Sequence, residues 1–162
     1  MTNEPGLILV SACLLGVACR FDGQSCPEKK LLDLAAHGCV VPICPEVSGG
    51  LSIPRLPAEI KDAHAGLDGS AVLDGRTQVV CNDGTDRTEH LISGARAALT
   101  LAQNLDIRRA VLNSNSPSCG EGHIHGGRFA GTLVPGDGVT AALLKRAGIQ
   151  VATEKDLVGG KV

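Results

Sequence analysis

Short apolar runs alternate along this chain with segments of helical periodicity, and this alternation restricts the fold more than any other feature. Buried strands are predicted at residues 7–10, 40–43, 110–112 and 149–151. Apolar residues at helical spacing predict helices over about 26–37, 86–102 and 137–147. Strands joined by helices in this order predict an α/β domain whose mostly parallel, Rossmann-like open sheet has helices on both faces.

The region between the second strand and the second helix carries different signals. Residues 47–63 are rich in Gly and Pro and predict an irregular surface excursion. Residues 71–73 and 77–80 flank Asp74-Gly75 and predict an inserted β-hairpin with a tight turn. Because the sequence has no repeat and no low-complexity segment, residues 1–162 are interpreted as one domain, which at this length can bury a sizeable core.

Composition and charge restrict the partners of this chain. Phe21 and Phe129 are the only aromatic residues, so the predicted core is aliphatic and few rings can stack on nucleic-acid bases. The net charge is −2 and basic residues are dispersed, so we expect a small-molecule partner and no nucleic acid. The sequence lacks both an apolar run of membrane-spanning length and a basic leader, which predicts a cytoplasmic protein without membrane contact. Nothing in the sequence requires more than a monomer.

Seven cysteines are the strongest chemical signal. In a reducing cytoplasm, an odd number of this size indicates metal or redox chemistry rather than a disulfide framework. Cys13, Cys44 and Cys119 each follow a different predicted strand, at the sheet edge where parallel sheets bind ligands. Three thiolates suit an iron–sulfur cluster or zinc. A set of three leaves one metal position open, whereas a structural zinc site normally uses four ligands.

Polar side chains accompany two of these cysteines. Ser116 and Ser118 lie beside Cys119 on a loop that Pro117 stiffens. Glu46 follows Cys44 by two residues and is the best candidate for a general acid or base, because it would be a carboxylate beside a metal in a crevice.

Other ligand sets remain open from the residues alone. Cys19 could be a fourth metal ligand, and His123 and His125 could complete a zinc site. The remaining cysteines are interpreted as structural: Cys26 at a helix start, and Cys39 and Cys81 as small buried apolar side chains.

Two other classes of function also remain open. One is a zinc-stabilised or thiol-based interaction or redox-sensing module without catalysis. The other is a nucleotide-binding protein that uses the glycine turn Gly136-x-Gly138-x-x-Ala141 before the last predicted helix.

Four motifs together resemble the thiouracil desulfurases, a bacterial family, and the resemblance covers nearly the whole chain. They are Ser11-Ala12-Cys13-Leu14-Leu15-Gly16, Arg20-Phe21-Asp22-Gly23, Cys44-Pro45-Glu46 and Ser116-Pro117-Ser118-Cys119-Gly120, followed by Gly131-Thr132-Leu133.

The resemblance implies a 4Fe–4S cluster held by three cysteines, here Cys13, Cys44 and Cys119. The fourth iron would take the sulfur of a thiolated pyrimidine such as 4-thiouracil, and that sulfur would leave as hydrogen sulfide. The catalytic residues implied are Glu46 and Ser116, and the predicted substrate contacts are Asp22 and Ser118.

The chain departs from the family pattern at two places. Position 21 is Phe where the family usually has Tyr, and His125-Gly126 stands where the family tends to have Tyr-Asp. Both changes leave the three cysteines intact and bear on the choice of substrate.

Overall fold

Four parallel strands form the central sheet in the computed structural model, which describes residues 6–159. The strands are β1 (Ile8–Ser11), β2 (Val40–Ile43), β3 (Ala58–Ile60), β4 (Val79–Cys81), β5 (Arg109–Leu112), β6 (His123–His125), β7 (Leu133–Pro135) and β8 (Gln150–Thr153). The helices are α1 (Lys29–Ala36), α2 (Pro45–Ser48), α3 (Gly69–Leu73), α4 (Thr88–Asn104) and α5 (Val139–Arg146), with 3₁₀ turns at Ala12–Leu15, Ala63–Ala65 and Glu154–Gly159. The sheet order is β2-β1-β5-β8, which confirms the predicted parallel sheet.

The two faces of the sheet are covered by different helices. Helices α4 and α5 contribute small and aliphatic side chains such as Ala98, Ala102 and Leu144 to a cluster with Leu9 and Leu112. The opposite face buries β1 and β5 side chains against α1 and the last 3₁₀ turn. Because both faces are covered, all four residues of central strand β1 are buried. The prediction of helices on both faces is therefore confirmed.

The segment between β2 and α4 differs from its prediction. Residues 71–73 belong to α3, so the hairpin predicted there is wrong. Asp68 caps this helix by accepting a hydrogen bond from the Ser70 N–H, and Ala71 and Val72 are buried. Strand β4 instead pairs antiparallel with β3, which lies within the stretch predicted to be an irregular surface excursion. A three-residue apolar run fits one helical turn as well as it fits a strand. In the helical conformation Ala71 and Val72 are both buried.

A second antiparallel pair, β6 with β7, follows the Cys119 loop. Ile124 of β6 is buried and makes an isolated parallel bridge with Asn115, so this pair is tied to the start of that loop. Among residues 6–159, no helix is both long enough and apolar enough to cross a membrane.

Helix α2 lies against α4 at a contact that only glycine permits. A Cβ at Gly94 of α4 would collide with the carbonyl oxygen of Pro45 in α2, and one at Gly49 would collide with that of His90. Both obstacles are backbone atoms, which cannot rotate away. This contact fixes the position of the short helix that carries Glu46.

We predict that Gly94→Ala lowers the free energy of unfolding by about 1–3 kcal/mol, because the added methyl group forces two helix backbones apart. Ser93→Ala, at an exposed position of the same helix, should change it by less than about 0.5 kcal/mol. Urea denaturation of the two variants measures the difference. Equal stability of the two variants would contradict the close backbone contact.

Candidate active site

A cavity of about 610 Å³ lies at the carboxyl edge of the sheet and is lined by Cys13, Cys44 and Cys119. Cys13 is in the 3₁₀ turn directly after β1, and Cys44 directly follows β2 as the N-cap of α2. Cys119 is on the loop after β5. Strands β2, β1 and β5 are neighbours in the sheet, so their parallel direction brings three cysteines that are distant in sequence to one cavity.

The Cys119 loop is held by its own hydroxyls and backbone. The Ser116 hydroxyl oxygen accepts hydrogen bonds from the backbone N–H groups of Ser118 at 3.1 Å and Cys119 at 2.8 Å. Ser11, at the end of β1, donates its hydroxyl to the Cys119 sulfur at 3.6 Å and accepts the Asn113 N–H at 2.9 Å. The thiol is thus linked to the strand end that precedes Cys13.

Glu46 also lines the cavity, and it is paired with a residue that the sequence analysis did not identify. Nε and Nη2 of Arg55 both contact Oε2 of Glu46, at 3.2 and 2.5 Å. The two side chains are only 6% (Arg55) and 19% (Glu46) exposed. Arg55 is held in turn by the carbonyl oxygens of Cys19 and Ser52. Since both contacts use Oε2, Oε1 is the carboxylate oxygen left to meet a ligand.

The three remaining predicted residues have different positions. Ser116 lines the cavity, and because its oxygen already accepts two N–H groups, its own hydrogen is the group that it can offer to a ligand. Ser118 is fully buried away from the cavity lining and shares a hydrogen bond of 2.9 Å with Thr140, so the structure does not support its predicted substrate contact. Asp22 is exposed, accepts the Gln24 N–H and lies outside the lining as well.

Two further cysteines face the same cavity. Cys19 was considered as a fourth ligand and Cys26 as structural, yet both line the cavity. The Cys44 thiol donates to the Cys19 carbonyl oxygen at 3.8 Å, and the Cys26 sulfur lies 3.5 Å from a guanidinium nitrogen of Arg20. Both come from the loop after the first 3₁₀ turn, whereas the three predicted ligands follow sheet strands. All seven cysteines are free thiols.

Zinc ligation by histidines finds no support in the geometry. His123 is exposed, and although His125 lines the cavity, its Nδ1 is buried without a hydrogen-bond partner. Within the described part of the chain, no three His, Cys, Asp or Glu side chains are grouped to hold a single metal ion.

The glycine turn before α5 also has a structural explanation. The N–H groups of Gly138, Val139 and Thr140, which a phosphate would need, donate instead to the carbonyl oxygens of Gly120, Pro117 and Ser118 at 2.7–2.8 Å. A Cβ at Gly138 would lie 2.5 Å from the Ser118 carbonyl oxygen, so glycine is needed for this approach. The turn therefore holds the Cys119 loop and does not favour nucleotide binding.

Burial raises the pKa of three thiols at the cavity, those of Cys13, Cys19 and Cys119. It raises the pKa of Cys119 to about 12, an effect that the nearby Glu46 charge increases and the Ser11 hydroxyl opposes. Burial, together with the neighbouring Cys44, likewise raises the pKa of Cys19 to about 12, and burial raises that of Cys13. Without metal these three thiols are neutral. Any of them that binds a metal as a thiolate must therefore release its proton.

Comparisons with known proteins agree with the resemblance of the motifs. The sequence pattern of the family described as 2-thiouracil desulfurase matches residues 8–156. The chain belongs to the 2-thiouracil desulfurase family. The protein YbbK of Bacillus subtilis (strain 168), described as uncharacterized, is 43% identical over 151 residues, which are 93% of this chain and 97% of that protein. A solved structure described as the 4Fe-4S-dependent thiouracil desulfidase TudS is also 43% identical, covers 95% of this chain and 94% of its own, and superposes with a TM-score of 0.83.

We predict that the metal-free protein loses stability as the pH rises from 8 to 10. An unfolded chain ionises its thiols near pH 9, whereas the folded chain keeps Cys119 protonated, so the folded state binds more protons above pH 9. Each such thiol contributes a slope of up to about −1.4 kcal/mol per pH unit. Urea denaturation at several pH values should give a shallower slope for Cys119→Ala than for the parent. Parallel slopes would contradict a protonated native Cys119.

Proposed function

We propose that this protein removes sulfur from a thiolated pyrimidine base such as 4-thiouracil, giving the oxo base and hydrogen sulfide. The observation that carries this proposal is the meeting of Cys13, Cys44 and Cys119 with the paired carboxylate of Glu46 at one cavity. Replacement of C=S by C=O through water breaks the C=S double bond, forms a C=O double bond and places the two protons of the water on the departing sulfur, so every oxidation state is unchanged. No external reductant or oxidant is required.

The donor set of the cavity fits a 4Fe–4S cluster. Thiolates are the ligands that such clusters use, and Cys13 and Cys119 are buried while Cys44 is half-buried at the cavity. Cys13, Cys44 and Cys119 would hold it, since each follows a strand of the rigid sheet. When bound through three cysteines, the cluster supplies an iron with an open position, a soft Lewis acid suited to a thiocarbonyl sulfur.

Glu46 is the general acid–base group of this proposal. It would take a proton from the attacking water and later deliver a proton to the departing sulfur. Arg55 fixes the carboxylate through Oε2 and partly neutralises it, so that Oε1 is held toward the cavity rather than free to rotate. Arg55 touches neither water nor substrate in this account, and its role is to position Glu46.

Ser116 would orient the substrate or the water. Its oxygen is committed to two backbone N–H groups of the Cys119 loop, which fixes the direction in which its hydrogen can be donated. Such a donor suits a ring nitrogen, a carbonyl oxygen or the attacking water. Ser118 and Asp22 have no part in this proposal, because neither lines the cavity.

The proposed partner is a small molecule. The cavity of about 610 Å³ has the volume of a small-molecule site, and the chain has a net charge of −2, which gives no electrostatic attraction for folded RNA. We propose that residues 1–162 form one desulfurase domain that acts in the cytoplasm, where seven free thiols would stay reduced.

The ligand assignment predicts a pattern across the five cavity cysteines. Cys13→Ala, Cys44→Ala and Cys119→Ala should each lose the cluster, whereas Cys19→Ala and Cys26→Ala should keep it. Iron and sulfide content after anaerobic reconstitution, with the visible absorption of the cluster, measures this directly. If Cys19→Ala or Cys26→Ala loses its iron, the substituted cysteine is a ligand of the cluster. A colourless parent that binds zinc but no iron would favour the interaction module without catalysis.

The proposed role of Glu46 predicts a loss of turnover without a loss of cofactor. Glu46→Gln should keep a full cluster and still bind substrate, yet release sulfide from 4-thiouracil about 10²–10⁴-fold more slowly, the usual effect of removing a positioned acid–base group. Glu121→Gln, a carboxylate paired with Lys145 outside the cavity, is the matched control and should retain the parent's rate.

Sulfide release per minute under anaerobic conditions, normalised to cluster content, is the measurement. A full rate in Glu46→Gln would show that another group moves the proton. If the iron-loaded parent releases no sulfide from any thiolated pyrimidine, the desulfurase proposal itself is wrong.

A further inference from the structure

Both aromatic residues of this chain are excluded from its core and line the same cavity. Phe21 is 39% exposed and Phe129 is 36% exposed, while the buried core is made of aliphatic, alanine and cysteine side chains. Large aromatic side chains normally contribute much of the apolar area that a fold buries. Here the only two are instead placed on the wall of the site.

The backbone of Phe21 is hydrogen-bonded to the residue that pairs with Glu46. Its carbonyl oxygen accepts the backbone N–H of Arg55 at 2.8 Å, and Arg55 is the residue that pairs with Glu46. Its loop is closed by hydrogen bonds from the Arg20 N–H to the Gln24 carbonyl and from the Gly23 N–H to the Arg20 carbonyl. The segment that carries the ring is therefore hydrogen-bonded to the backbone of the residue whose guanidinium orients Glu46.

Phe129 is held by a different part of the molecule. Its backbone has a φ of 53°, in the left-handed region that a bulky side chain rarely adopts. The Phe129 N–H donates to Oε1 of Glu59 at 3.3 Å, and the Gly127 N–H donates to the same oxygen at 2.8 Å. Glu59 is a buried residue of β3. A buried carboxylate thus holds the loop in a conformation that costs free energy, which indicates that the placement of this ring serves the site.

We propose that Phe21 and Phe129 are specificity-determining residues whose rings supply stacking faces for the planar pyrimidine, so that the site selects flat aromatic rings over saturated ones. This inference rests on the proposed function and adds how the base is recognised. Any pyrimidine presents a π-face, and stacking on an aromatic side chain needs no match of hydrogen-bonding groups. The two rings would stack on the faces of the base. Its sulfur would then be directed toward the side of the cavity lined by the three cysteines, and its polar edge toward Ser116.

Uracil and 5,6-dihydrouracil form a matched pair of probes for this proposal. They present the same carbonyl and N–H groups, but dihydrouracil has a puckered ring without a π-face, and neither contains sulfur to be removed. Equilibrium dialysis of the cluster-loaded protein gives the ratio of their dissociation constants. Loss of stacking on one ring is typically worth about 5- to 100-fold in affinity, so the parent should prefer uracil by a factor of that size.

Variants assign the preference to the two rings. Phe21→Leu and Phe129→Leu should each reduce the preference, and the double variant should bind both probes almost equally, because leucine keeps apolar bulk but has no ring. Phe21→Tyr keeps the ring and should retain the preference. Leu105→Ala, an exposed apolar residue outside the cavity, is the control and should behave like the parent. Since both phenylalanines are exposed, the variants leave the core intact.

The outcomes separate this inference from the proposed function. Equal affinity of the parent for the two probes, no binding of uracil, or an unchanged preference in the double leucine variant would overturn the stacking role. The same proteins assayed for sulfide release from 4-thiouracil test the function independently. Sulfide release with an unchanged preference in the double leucine variant would leave the desulfurase proposal standing without the stacking role.

Discussion

The backbone contact between the Cys119 loop and the start of α5 determines the geometry of the site. Three consecutive N–H groups, which a helix start would otherwise leave without partners, donate to carbonyl oxygens of this loop. The approach is close enough that Gly138 cannot carry a side chain without colliding with the Ser118 carbonyl group. The loop is thus bonded to a helix that itself packs on the sheet. One of the three proposed ligands is therefore preorganised before any cofactor binds.

The buried Glu46–Arg55 pair is the second element that organises the cavity. Removing charges from water costs several kcal/mol per ion, so a pair of this burial contributes less to stability than to fixed geometry. The cost is offset because Arg55 also satisfies the carbonyl oxygens of Cys19 and Ser52. Through its backbone it holds Phe21 too. Arg55 thus contacts Glu46, the proposed acid–base group, the loop that carries Cys19, and the backbone of Phe21, one of the two proposed stacking residues.

The sequence predicts the convergence of Cys13, Cys44 and Cys119 because each cysteine follows a parallel strand and those strands are neighbours in the sheet. It does not predict Arg55, since an ion pair across nine residues of irregular, Gly- and Pro-rich chain has no periodic signal. Ser116 and Ser118 have the same side chain, so the sequence cannot tell which of them lines the cavity. The conformation of the turn directs Ser116 to the cavity and Ser118 to Thr140. The three-residue run 71–73 is too short for its periodicity to distinguish helix from strand.

The central claim is that Cys13, Cys44 and Cys119 would hold a 4Fe–4S cluster in the cavity that Glu46 and Ser116 also line. An anaerobic crystal structure of the iron-loaded protein soaked with a slowly reacting thiolated pyrimidine tests it most directly. The account predicts a four-iron cluster bound by Cys13, Cys44 and Cys119, with the sulfur of the ligand at the remaining iron. A fourth protein ligand from Cys19 or Cys26, or a thiolated base bound away from the iron, would contradict it.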